Sequence, residues 1–137
     1  LPGQTIETAK KTVSMIEKLY FIGVEKITVY RFKPLPCSAF ENMPEGPPSS
    51  KNPASRIIER AARKFNLERK KALIGEVLEV ILAPGRRGKF RIAYPFREGP
   101  TVLVRGMPRN LKVGDVFRSK IVSVVSDRLV IGKFTSL

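Results

Sequence analysis

Between Ile6 and Tyr20 apolar residues return every three or four positions. Ile6, Ala9, Val13, Ile16 and Leu19/Tyr20 share one face, which predicts an amphipathic helix. Thr5 has the chemistry of an N-cap, and Gly23 can take the left-handed conformation that stops a helix. The period changes at Val24. Residues 24–32, VEKITVYRF, are rich in β-branched and aromatic side chains and predict a strand. A helix running into a strand is a slice of a parallel α/β sheet. A strand with no neighbour leaves its backbone groups unpaired, so this pair is expected to depend on segments preceding residue 1.

Six of the eleven prolines fall between positions 34 and 53, and MPEGPPSSKNP predicts an extended linker. Asn52-Pro53 then opens a second helix, with Asn as cap and Pro in the first turn. Ile57, Ala61 and Phe65 are expected on its apolar face, and Arg63, Lys64, Lys70 and Lys71 on its basic remainder. Such a charge run is either a solvated face or a surface for a polyanion, and the pattern alone leaves both open.

From 73 onward the pattern is β. GEVLEVILA (75–83), KFRIAYPF (89–96), PTVLVRG (100–106), DVFRSKIVSVV (115–125) and RLVIGK (128–133) predict five short strands. Gly or Pro breaks separate the first four, and Ser126-Asp127 forms a hairpin turn before the last. In KFRIAYPF strict alternation is expected to turn Phe90, Ile92, Tyr94 and Phe96 inward, with Lys89, Arg91, Ala93 and Pro95 outward. A small five-stranded antiparallel barrel removes the exposed edges that so many short strands would otherwise leave.

Charge sharpens this picture. The chain of 137 residues carries +14, of which residues 1–48 hold +1 and residues 49–137 hold +13. That asymmetry points to a polyanionic partner for the second part. Arg86, Arg87 and Lys89 sit in a Gly-bounded loop, where backbone can approach phosphates and guanidinium groups can fork onto them. Arg91 and Arg97 follow in the next strand and its exit, and Arg105 and Arg109 flank a second Gly/Pro loop. These residues are the candidate RNA contacts, with Arg63, Lys64, Lys70 and Lys71 of the basic helix. No histidine is present, which excludes His-dependent triads and His-ligated metals within the chain, and one cysteine, Cys37, excludes an internal disulfide. No apolar run is long enough to span a bilayer, so no membrane partner is expected. The single cysteine fits a cytoplasmic protein.

IGEVLEVILAPGRRGKFRIAYPFREGPTVLVRG, followed by LKVGDVFRSKIVSVVSDRLVIGK, resembles a TRAM domain, the OB-like β-barrel carried by RNA-modifying enzymes. Gly75 with its Val/Leu strand, the basic Gly loop and LKVGDV (111–116) carry the likeness. LPGQTIETAKKTVSMIEKL with GVEKITVYRFKPLPCSAF is similar to the end of a radical S-adenosylmethionine barrel: a Pro-Gly turn, a Thr-started helix, and a strand entering a Pro-rich loop. The order resembles that of methylthiotransferases, although Cys37-Ser38 stands where those enzymes tend to have Gly-Thr. The resemblance implies an α+β chain in three parts. Residues 1–45 would be the remnant of a radical SAM barrel, 46–72 a linker and basic helix, and 73–137 an RNA-binding TRAM barrel. It further implies a parent enzyme that uses S-adenosylmethionine and a 4Fe–4S cluster, to which this part delivers tRNA or another structured RNA. With one cysteine the chain itself is expected to bind no cluster and hold no catalytic residue. The alternative is a ribosome-associated or RNA-chaperone protein that binds rRNA without catalysis.

Overall fold

The computed structural model describes residues 3–137, so the expected Pro-Gly turn begins outside the described residues. The protein is α+β, with two α-helices and a five-stranded mixed sheet. Its contacts divide into two compact units, Leu1–Phe65 and Asn66–Leu137.

In the first unit α1 spans Ile6–Phe21 and α2 begins at Pro53, running to Lys71 across the division between units. The α1 start is a capping box: Thr5 Oγ1 accepts from the Thr8 N–H at 3.2 Å, and Thr8 Oγ1 accepts from the Thr5 N–H at 2.9 Å. Its end is a Schellman arrangement, with Val24 N–H donating to Leu19 O and Gly23 N–H to Tyr20 O, and Gly23 at φ 87°. At α2, Asn52 Oδ1 accepts from the Ser55 N–H at 3.2 Å, as its position before Pro53 predicts. Ala9 and Ile16 of α1 pack with Ala54, Ile58 and Phe65 of α2, and Leu19, Tyr20, Val24 and Ile27 close around them. The buried face of α2 is therefore Ala54, Ile58, Ala62 and Phe65. Ile57 and Ala61, expected on that face, are only partly buried, and of the two Ala61 packs against the cluster with α1.

Residues 24–32 form no strand, which corrects the expectation of a helix-plus-strand barrel remnant. Among the described residues the first unit has no strand to complete a ladder, so β propensity goes unused. Instead the segment folds against its own linker: Gly46 N–H donates to Phe32 O, and Arg31 bonds Glu45 at 2.6 Å and the Gly46 carbonyl. Tyr30, Leu35 and Phe40 remain exposed. Cys37 takes φ 62°, a left-handed value that favours glycine, with its N–H donating to Glu41 Oε2 at 2.6 Å.

In the second unit β1 (Val77–Arg87), β2 (Phe90–Pro95), β3 (Thr101–Arg105), β4 (Val116–Val124) and β5 (Leu129–Ser136) pair in the ring β1-β2-β3-β5-β4. Four pairings are antiparallel and β3–β5 is parallel. An all-antiparallel arrangement was expected. Directions cannot alternate all the way round a ring with an odd number of strands, so at least one neighbouring pair has to run parallel. Here it is the seam where β5, turning back from β4, meets β3.

The interior is filled by Val80, Leu82, Ala93, Val102, Val104, Phe117, Ile121 and Val130, with Leu111 at one end. Along β2 this reverses the expected alternation. Ala93 is fully buried, whereas Tyr94 and Phe96 are 53% and 61% exposed, and Phe90 and Ile92 are half-buried. Paired residues on neighbouring strands share a face, and Ala93 pairs with Leu82 and Val102, both interior. The interior is also narrow. A Cβ on Gly132 would lie 2.2 Å from Ser119 Oγ and 2.8 Å from Val102 Cγ1, so no row of aromatics fits inside. Gly132→Ala is accordingly expected to destabilise the ring by about 1–3 kcal/mol through overpacking. Urea unfolding checks this, and an unchanged midpoint would mean the interior has room to give.

Candidate nucleic-acid interface

The loop singled out for its arginines is built by two backbone devices. Gly88 and Lys89 make a two-residue turn between the paired Arg87 and Phe90, with Gly88 at φ 60° as a turn of this hand requires. Before it, the register jumps between Leu82↔Ala93 and Arg86↔Arg91, so residues 83–85 bulge out of the ladder and Pro84 needs no hydrogen-bonding partner there. β1 thereby continues through to Arg87, four residues beyond its expected end at Ala83.

The consequence is a set of cations on the inward-facing register beyond the last core layer. Arg91 lies two residues from interior Ala93 and pairs with buried Val104, and Arg86 pairs with Arg91. Their side chains line the mouth of the ring instead of its outer wall. From the other side the β3–β4 connection brings Gly106, Met107, Pro108 and Arg109. That connection is anchored: Leu111 is buried, Asp115 Oδ2 accepts from the Lys112 N–H at 2.7 Å, and Gly114 N–H donates to Leu82 O at 2.9 Å. Together these residues enclose a concavity of about 470 Å³ lined by Arg86, Lys89, Arg91, Val104, Gly106, Met107, Pro108 and Arg109. Four cations line it and no acid does. Arg91 Nε is buried and has no hydrogen-bond partner among the described residues, a donor left for a ligand to satisfy.

The remaining sequence candidates scatter. Arg87 and Arg97 are exposed but do not line the mouth. Arg63 is held by Glu59 at 2.8 Å and Lys71 by Glu68 at 3.1 Å, exposed pairs of small worth that a polyanion can displace. A hydrogen bond from Ser49, with Arg63 alongside, outweighs partial burial and keeps the Glu59 carboxyl below the usual carboxylate range. Lys64 is exposed on α2, whereas Lys70, expected on the same basic surface, is buried at 6% exposure. Arg105 belongs to a grouping that sequence reasoning missed. In the ladder Arg105 pairs with Lys133 and Lys133 with Lys120, so three exposed cations lie in a row across β3, β5 and β4. Like charges directly opposite one another weaken a sheet, so this row is not there for stability. Lys120 and Lys133 lie in different strands, and only the register unites them with Arg105.

Among the described residues no group of three or more His, Cys, Asp or Glu converges as a metal site. No helix among them is long and apolar enough to cross a membrane.

No model of a known protein family matches the chain. It is 42% identical over 135 residues to the uncharacterized protein MK0932 of Methanopyrus kandleri, a match covering 97% of this chain and 25% of the relative. It is 49% identical over 83 residues to the uncharacterized protein MJ1620 of Methanocaldococcus jannaschii, covering 61% of this chain and 15% of that protein. The chain thus spans about a quarter or less of the curated relatives it matches.

Proposed function

We propose that this chain is an RNA-binding segment whose ring mouth seats backbone phosphates. The observation that carries the proposal is the convergence of Arg86, Lys89, Arg91 and Arg109 on one concavity without an acid among its lining residues. Guanidinium groups fork onto phosphate oxygens, and a partly desolvated site strengthens each such bond. The cross-strand row of Arg105, Lys133 and Lys120 gives the strand a second, outer line of positive charge.

In the whole protein this segment delivers structured RNA, tRNA foremost, to a radical S-adenosylmethionine site outside the chain, where S-adenosylmethionine and a 4Fe–4S cluster supply the chemistry. Two observations support that larger reading. The second unit is a five-stranded ring of the kind the TRAM resemblance implies. Cys37 also holds the glycine-favouring conformation at the place where methylthiotransferases tend to have Gly. The much greater length of the relatives favours a segment serving a larger cytoplasmic enzyme over a free-standing rRNA binder.

The test is RNA affinity at several salt concentrations. Arg86→Ala with Arg109→Ala is expected to lower affinity across RNA sequences and flatten the log–log salt slope by about one to two units. Arg87→Ala, outside the mouth, should change both far less. Equal effects of the two variants, or no effect of either, would remove the mouth as the phosphate site.

A further inference from the structure

We infer that the outer face at the end of β2 and its exit is a stacking platform for unpaired bases, with Tyr94 and Phe96 as its two rings. This rests on the RNA-binding proposal and adds the class of RNA to it: strands, loops or ends with splayed bases instead of continuous duplex.

Exposure is the first observation. Tyr94 and Phe96 are 53% and 61% exposed on a protein whose interior has no shortage of aliphatic residues to shield. The outward direction of Tyr94 is fixed by the ladder, since its neighbour Ala93, paired with Leu82 and Val102, points inward. The rings are held firmly at their base. Tyr94 pairs with Ile81, and Phe96, the first residue past the strand's end at Pro95, is tied to β1 by its N–H donating to Glu79 O at 2.8 Å. Neither ring stacks on another aromatic among the described residues.

Spacing is the second. Residues two apart on a strand stand about 6.6 Å from each other along it. Two rings at that distance can receive two consecutive unstacked bases, the arrangement by which sheet-borne aromatics take single-stranded RNA. Charge is the third. Arg97 follows Phe96 directly, and the mouth cations Lys89 and Arg91 lie beyond the other end of the hairpin, so an RNA strand leaving the mouth runs toward the rings with a further cation past them. Glu79 is exposed beside Phe96 and discourages a phosphate from lying on the ring itself, which leaves the ring to a base. A protein partner could also cover an aromatic face. Arg97 beside the rings and the acid-free mouth on the same hairpin favour RNA.

The chain contains no tryptophan, so Phe96→Trp places a single reporter on the platform. On titration with a single-stranded oligonucleotide its fluorescence is expected to be strongly quenched, with affinity kept or raised. An equimolar blunt duplex should leave it nearly unquenched. Tyr94→Ala with Phe96→Ala should lower affinity for the single strand by about 100-fold or more. It should leave the salt slope and duplex binding as they are, because no phosphate contact is lost. Circular dichroism and the urea midpoint confirm that the variant is folded. The inference is overturned if the double alanine variant binds single strands like the parent while the Arg86/Arg109 variant does not, an outcome that leaves the mouth in place. Equal quenching by duplex and single strand overturns it too, and so does quenching by no RNA. Loss of binding in neither variant overturns both proposals together.

Discussion

Phe117→Ala is expected to cost the second unit about 3–5 kcal/mol, enough to leave it largely unfolded under mild denaturant. Phe117 is among the largest fully buried side chains, 1% exposed, and its ring lies 5.7 Å from that of Phe134 across the β4–β5 pair. Removing it opens a void in the middle of a narrow interior whose walls are tied by backbone pairing on every side and cannot collapse inward. A unit of this size holds only about 4–11 kcal/mol in total, so one such loss is a large share. Ile92→Ala makes the sharper comparison. On the alternation expected from sequence it would be a core deletion of similar weight. Lying half-buried on the outer face, it should cost only about 1–2 kcal/mol. Denaturant unfolding of both variants settles the orientation of β2, and equal losses would return Ile92 to the interior.

Hydrogen exchange should separate three levels of protection. Amides of Val80, Val102, Ile121 and Val130, in the ladder and in the core, are expected to exchange only through unfolding of the whole ring. Those of α1 and α2 around Ala9, Ile16, Ala54 and Ile58 should be intermediate, since that cluster is small. Residues 24–45 belong to no helix or strand and expose Tyr30, Leu35 and Phe40. They should exchange about a thousandfold faster than the ring or more, a gap of roughly 4 kcal/mol. Protection of this segment equal to that of the ring would mean it is paired in solution. Mass spectrometry of peptides after timed labelling gives all three levels in one experiment.

Local chemistry was legible in the sequence because it is local. Thr5, Gly23, Asn52 and Pro53 act within a few residues of themselves, and each does what its type and position imply. The existence and order of the five strands were equally readable from their period and their Gly/Pro boundaries. Facing was not. KFRIAYPF alternates as cleanly as a strand can, yet alternation fixes only which residues go together, not which set is inside. Leu82 and Val102 decide that through pairing, and both are distant in sequence. The same limit hid the Arg105–Lys133–Lys120 row. In VEKITVYRF the propensity was real, but among the described residues the first unit offers no strand for it to pair with. Of the candidate contacts, Arg86, Lys89, Arg91 and Arg109 came together because a bulge and an anchored loop aimed them, neither of which composition reveals.

The parallel seam also has a bearing on biosynthesis. β5 is the last of the five strands in chain order, yet it sits between β3 and β4 and pairs with both. While the chain is being made, β1, β2, β3 and β4 can pair as an open sheet whose two ends, β3 and β4, are bare edges waiting for the same final segment. Bare edges recruit foreign strands. Leu129–Ser136 therefore acts as the keystone of the nascent protein, and ribosomes that stall before it is released should yield a sticky, aggregation-prone intermediate rather than a smaller stable domain.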